Sequence, residues 1–95
     1  MFMAKYKAKK EKTRLIFNVL GDPSRFRILE LIAKKKDFCV SEIASALKIS
    51  VPAVSQQFRI LEMAGVVEKE RMGQKICYKI KRNDSIVRSI LKLIN

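Results

Sequence analysis

The stretch SEIASALKISVPAVSQQFRILEMA, Ser41 to Ala64, decides the fold. Ile43, Ala44 and Leu47 recur at helical spacing behind Ser41, a residue type that caps helix N-termini. Glu42–Leu47 therefore reads as a short helix. Lys48-Ile49-Ser50 is a tight connection, with Ser50 as the next cap. A longer helix follows over Val51–Ala64, and Gly65 closes it. On a wheel of about 100° per residue, Val54, Phe58 and Leu61 share one face and point to a core. The opposite face carries Pro52, Gln56, Arg59 and Met63, with Ser55 flanking.

Downstream, the period changes. Ile76, Tyr78 and Ile80 alternate with Cys77 and Lys79, as in a half-buried strand. Val66–Met72 and Lys75–Lys81 flank Gly73-Gln74 and read as a hairpin. Asp84–Ile94 reads as a last helix. Upstream, residues 5–20 form a helix ended by Gly21, and Asp22-Pro23 starts another over Ser24–Lys35. Lys34-Lys35-Lys36 suits that helix's C-terminal dipole, and Phe38-Cys39-Val40 is short and extended. The expected fold is mainly α with a small β-hairpin (α+β), a winged helix-turn-helix dimerising through its first and last helices. One domain spans residues 1–95. It comprises a basic N-terminal extension (1–12), the helix-turn-helix (41–64), the wing (66–81) and a dimerisation helix (84–94).

Charge and composition narrow the function. Among 95 residues, 21 Lys and Arg against 9 Asp and Glu leave +12, which points to a polyanionic partner. Lys5, Lys7, Lys9, Lys10, Lys12 and Arg14 are opposed only by Glu11. A hydrophobic content of 48% is too high for a disordered tail. No apolar run reaches the roughly 20 residues of a membrane helix, and no secretory apolar region follows the basic start. The chain has no His, and neither a phosphate-binding Gly loop nor a carboxylate cluster emerges, so an enzyme is not expected. Two Cys cannot build a disulfide scaffold, and a cytoplasmic, nucleoid-associated location in a reducing compartment is expected.

A recognition helix presents its N-terminal polar residues to base edges in the major groove. Gln pairs with adenine, and Arg with guanine or phosphate. The outer face of Val51–Ala64 fits this, with Ser55, Gln56 and Arg59 as readers. The hairpin tip, Arg71-Met72-Gly73-Gln74-Lys75, suits the phosphate backbone or the minor groove. The competing reading is a solvated helix face and an ordinary turn.

Three segments carry a family resemblance. They are Leu20-Gly21-Asp22-Pro23-Ser24-Arg25-Phe26-Arg27-Ile28-Leu29, Val54-Ser55-Gln56-Gln57-Phe58-Arg59-Ile60-Leu61, and Ala64-Gly65-Val66-Val67. With them the chain resembles the ArsR/SmtB-type winged-helix repressors over about residues 12–94. The resemblance implies a homodimer on an imperfect inverted repeat of double-stranded DNA, with repression relieved by an inducer. By position it implies DNA contacts from Val51, Pro52, Ser55 and Gln56, with Arg71 and Lys75 on the wing. Pro52 and Ala53 stand where the family more often carries polar residues, so readout would lean on Ser55, Gln56 and Gln57. The family's metal sites transfer poorly, and no metal or cofactor is expected. Its thiolate box, Cys-Val-Cys-Asp-Leu, is here Cys39-Val40-Ser41-Glu42-Ile43, with one thiol of the two. Asp84 matches the other site, but Ile86 stands in place of a His.

Cys39 and Cys77 raise a second possibility. If the short strand pairs with the second wing strand, both thiols face outward, and adjacent strands bring Cβ atoms within disulfide reach. Lys75 and Lys79 flank Cys77 and favour its thiolate. A dithiol–disulfide or persulfide switch on the wing is one reading, and two unrelated, partly buried thiols the other. Ile86, Val87, Ile90, Leu91 and Ile94 cover more than one helix face, so a second subunit is expected on them. The functional expectation is a sequence-specific repressor. The alternatives are a sequence-independent architectural DNA-binding protein and an interaction module that has lost DNA binding.

Overall fold

The computed structural model describes residues 2–34 and 38–94, with side chains from residue 8 onward. Lys5 and Lys7 of the basic extension, and Lys35 and Lys36 of the lysine run, lie outside the described side chains. Seven elements follow in order: α1 (Phe2–Leu20), α2 (Pro23–Lys34), α3 (Val40–Leu47), α4 (Val51–Met63), β1 (Val67–Met72), β2 (Lys75–Ile80) and α5 (Ser85–Ile94). The strands form an antiparallel pair, with Val67 opposite Ile80 and Met72 opposite Lys75. This is the winged helix-turn-helix arrangement read from the sequence.

The boundaries around the helix-turn-helix and the starts of α2 and α5 have hydrogen-bonding causes. The Asp22 carboxylate accepts from the backbone amides of Ser24 and Arg25, at 3.0 and 3.1 Å, and starts α2. Ser50 Oγ accepts from the amide of Ala53 at 3.2 Å and starts α4. Asp84 Oδ1 accepts from the amides of Ile86 and Val87, at 2.9 and 3.1 Å, and starts α5. These acceptors satisfy amides that have no partner inside the first turn. At the end of α4, the Gly65 amide donates to the Glu62 carbonyl and the Val66 amide to the Leu61 carbonyl. Gly65 takes φ +81°, the left-handed geometry of this stop. The same pair of bonds ends α3, with Lys48 at φ +58° in the place usually given to glycine. Gly73, φ +66°, is the first central residue of the hairpin turn, as a type II′ turn requires.

Ile16, Ile28, Leu29, Ile43, Val54, Phe58 and Leu61 meet in a single core, sealed by Val66, Val67 and Val87. The core therefore ties α1, α2, α3, α4, the hairpin and α5 into one body. Phe58 and Tyr78 stack with ring centroids 4.3 Å apart and planes 3° from parallel. Such pairs contribute about 0.5–1.5 kcal/mol beyond area burial. They fasten the wing to the recognition helix.

Four sequence expectations are corrected. Cys39, not Ser41, precedes the first turn of α3, because the Glu42 carboxylate reaches back to the Cys39 amide at 3.0 Å. Phe38-Cys39-Val40 is not a strand: Val40 is already helical, and Cys39 makes a single bridge to Cys77. Ile76 shares its strand face with the buried Tyr78 and Ile80 but is itself exposed, because it stands next to the hairpin tip. Of the α5 residues expected to need a second subunit, Val87, Ile90 and Leu91 are already buried within this chain. Among the described residues, the large apolar side chains of α1 and α5 left exposed are Leu93 (78%), Phe17 (56%) and Leu15 (48%).

Candidate nucleic-acid interface

Ser50 and Pro52 fix the start of α4, and the core residues Val54, Phe58 and Leu61 fix its rotation. That rotation turns Val51, Pro52, Ala53, Gln56 and Arg59 to solvent, with Ser55 half-buried beside them. The outer face is therefore apolar at its first turn and polar at its second. Gln57 departs from this group. Its Oε1 accepts from Arg25 Nη1 at 3.1 Å, on the α2 side of the helix. Arg25 Nε donates to the Val19 carbonyl at 2.7 Å, so Gln57 is held in a bridge between α4 and the end of α1. Base readout by Gln57 would require breaking that bond.

A cleft of about 460 Å³ runs between α4, the start of α3 and the wing. Helix α4 lines it with Val51, Ser55, Arg59 and Glu62. The hairpin contributes Lys69, Gln74, Lys75, Ile76 and Tyr78, and the start of α3 contributes Cys39 and Ser41. Of the residues expected to touch DNA, the cleft brings together Val51, Ser55, Arg59, Gln74 and Lys75. Pro52, Ala53, Gln56 and Arg71 lie outside its lining, all exposed. Lys69 and Ser41 were not expected there. Lys69 sits two residues before Arg71, hence on the same strand face, a period-2 signal that could have found it. Glu68 is opposite Lys79, and the two form an ion pair at 3.3 Å on the other side of the hairpin.

The lining cations Arg59, Lys69 and Lys75 face one lining carboxylate, Glu62, so the cleft favours anions. Burial pushes the Tyr78 phenol above its ordinary pKa; Glu62 adds to the rise and Arg59 opposes it. The phenol stays neutral at physiological pH, leaving the positive charge of the cleft uncompensated by that ring.

Cys39 and Cys77 are joined in a disulfide across 38 residues of chain. The pairing follows the disulfide reading, but both cysteines are buried, at 8% and 3% exposure, rather than facing outward. The bond ties the first turn of α3 to β2. It also removes Cys39 from any thiolate metal site. Asp84, the other inherited metal position, is already engaged by Lys12 and by the Ile86 and Val87 amides. Burial raises the Asp84 pKa, but the Lys12 hydrogen bond outweighs it and holds the carboxyl below its ordinary range. Among the described residues, no three His, Cys, Asp or Glu side chains stand together to hold a metal ion. The donor set does not fit the family's metal centres.

A second groove, of about 250 Å³, lies between α1 and α5. Thr13 and Phe17 line it from α1, and Ile86, Ile90 and Leu93 from α5. Among the described residues, no helix is long and apolar enough to cross a membrane.

Comparison with known proteins agrees with this geometry. The family described as bacterial regulatory protein, arsR family, matches residues 22–69. An uncharacterised HTH-type transcriptional regulator of Methanocaldococcus jannaschii is 38% identical over 92% of this chain and 96% of its own length. A transcriptional repressor SmtB homologue of Synechocystis is 39% identical over 70% of this chain, which covers 50% of that protein. Among solved structures, a homodimeric winged helix-turn-helix DNA-binding domain of Mycobacterium bovis superposes with a TM-score of 0.78 at 25% identity. The superposition covers 93% of this chain and 79% of that one. That domain is described as a possible ArsR-family transcriptional regulator.

Proposed function

The chain belongs to the ArsR family of bacterial regulatory proteins, and from that premise we propose that it is a homodimeric repressor reading an inverted-repeat operator. The observation that carries the reading is the cationic cleft between α4 and the wing, flanked by the exposed Gln56 and Arg71. Ser55, Gln56 and Arg59 meet base edges and nearby phosphates in the major groove, with Val51, Pro52 and Ala53 packing at the groove floor. Arg71, Gln74 and Lys75 follow the backbone or enter the adjacent minor groove. Gln57 serves as a strut rather than a reader, which revises the expectation from sequence. Lys10 and Arg14 on α1 add sequence-independent attraction.

The dimer forms on the α1–α5 groove, where Phe17 and Leu93 leave apolar area uncovered. A C₂ pair buries that area and spaces two recognition helices about one turn of DNA apart. The homodimeric Mycobacterium bovis domain supports this arrangement. The repressor works in the cytoplasm, on the nucleoid, and is not an enzyme. The Cys39–Cys77 bond makes it thiol-responsive, since the bond ties β2 to the start of α3 and its loss leaves the wing held by the Phe58–Tyr78 stack and the core alone. Disulfides in reducing compartments are usually transient and regulatory.

Selection of bound duplexes from a random pool at physiological salt tests the reading, run on oxidised and reduced protein side by side. A palindromic consensus is the expected result. No consensus, with binding that fades uniformly as salt rises, would identify an architectural DNA-binding protein instead. An identical consensus and affinity in both redox states would remove the thiol response.

A further inference from the structure

The two sulfurs of the disulfide are not equivalent. Both cysteines are buried, Cys39 at 8% and Cys77 at 3% exposure, but Cys39 lines the cleft between α4 and the wing and Cys77 does not. The cleft is also the cationic part of the interface, with Arg59, Lys69 and Lys75 around a single acid, Glu62. Thiol–disulfide exchange needs a thiolate to reach one sulfur and expel the other. The lining singles out Cys39. The three lining cations favour an anionic attacker against the opposing carboxylates of Glu62 and of Glu42, which accepts from the Cys39 amide at 3.0 Å.

We propose that the cleft is the entry site for a small anionic thiol, which opens the disulfide at Cys39, and that bound DNA closes this route. The thiolate RS⁻ forms a new S–S bond to Cys39 Sγ. The Cys39–Cys77 bond breaks, and its electron pair leaves with Cys77 as a thiolate. A second RS⁻ attacks the thiol-derived sulfur of the mixed disulfide, releasing RSSR and the Cys39 thiolate. Two thiols are oxidised, one protein disulfide is reduced, and the new protein thiolates take protons from water. The clause about DNA rests on the proposed operator binding. Ser55, Arg59 and Lys75 are both candidate DNA contacts and walls of the cleft, so a duplex seated on them covers the approach to Cys39. Operator-bound protein then keeps its disulfide, and free protein is the form that responds to the thiol pool.

The test compares reduction of the oxidised, full-length chain by two thiols of similar size and opposite charge, 2-mercaptoethanesulfonate and cysteamine. Rates are corrected for thiolate fraction and thiol pKa. At low ionic strength the anionic thiol is expected to react about tenfold faster. The difference should shrink as salt screens the cleft and in the Lys69→Gln, Lys75→Gln double variant. Acid quenching and peptide mass spectrometry should place the first adduct on Cys39, with Cys77 free. Equal rates for the two thiols, or a first adduct on Cys77, would overturn the proposal. The same reaction is then run with saturating duplex, after fluorescence anisotropy has established that a complex forms. Protection of at least about tenfold is expected from occupancy alone, and unchanged reduction of a demonstrated complex would overturn the DNA clause. Should anisotropy show no complex with any selected duplex, the operator reading fails, while adduct mapping still decides the site of attack.

Discussion

Arg25 Nη1 donates to Gln57 Oε1 at 3.1 Å while Arg25 Nε holds the Val19 carbonyl, so one side chain links the recognition helix to the end of α1. Gln56 and Gln57 are adjacent in sequence and different in role. Gln56→Ala is expected to weaken binding to the preferred operator by about 5- to 100-fold and to relax selectivity at one base pair. Gln57→Ala should leave base preference unchanged and lower unfolding free energy by about 1 kcal/mol. Anisotropy titrations on single-base operator variants, with urea unfolding of each protein, separate the two.

Asp84 caps α5 and meets Lys12 of α1, and that contact is the largest cause of its lowered pKa. Because folding lowers this pKa, the unfolded chain binds the proton more readily. The stabilisation is fully present above about pH 4 and is lost as pH falls through the folded pKa. Lys12 is 40% exposed, so solvent screens the pair and most of the contribution is the cap. Asp84→Ala should cost about 1 kcal/mol and flatten the acid limb of stability against pH. Lys12→Met should flatten that limb in part. Urea unfolding from pH 6 to pH 2.5 measures both.

The Cys39–Cys77 bond closes a loop of 38 residues in the unfolded chain. On the chain-entropy model such a cross-link stabilises by about 4 kcal/mol. Reduction, or the Cys39→Ser, Cys77→Ser double substitution, should lower Tm by more than about 10 °C. Calorimetry of oxidised, reduced and doubly substituted protein checks this at one protein concentration.

Arg71 and Lys75 stand at the exposed end of the hairpin. If each neutralises a phosphate, each alanine substitution should reduce the slope of log K against log salt by about 1. The loss should be the same on operator and random duplexes. A change in base preference from Arg71→Ala would instead show minor-groove reading.

Leu93 and Phe17 are the large apolar side chains exposed beside the α1–α5 groove. If the proposed dimer forms on this groove, Leu93→Asp should convert it to a monomer in sedimentation velocity, because a charge would be buried at a self-complementary contact. Monomer fold should survive, since the core residues Val87, Ile90 and Leu91 are untouched.

Much of this architecture was legible because local and global signals coincide. Asp22, Ser50, Asp84 and Gly65 each mark a helix end by type, and the structure gives each a hydrogen bond or a left-handed φ to explain it. The Val54, Phe58, Leu61 stripe fixed the rotation of α4, and with it the outward placement of Gln56 and Arg59. Tertiary partners were harder to read. Ser41 was the better cap by residue type, but Glu42 reaches the Cys39 amide and starts the helix earlier. Gln57 looks like a reader until Arg25, distant in sequence, is seen to hold it. The α5 face looked unpartnered because helical periodicity says what must be buried, not by which chain. The pairing of the cysteines depended on register, which the bridge between Cys39 and Cys77 supplies.

The stacked pair of Phe58 and Tyr78 also gives the molecule an optical reporter. The chain has two tyrosines and no tryptophan, and Tyr78 is fixed between recognition helix and wing. Rigid aromatic packing produces near-ultraviolet circular dichroism that vanishes when side chains lose their fixed setting. Undocking of the wing should therefore be visible in the unlabelled chain, against a far-ultraviolet spectrum that stays helical.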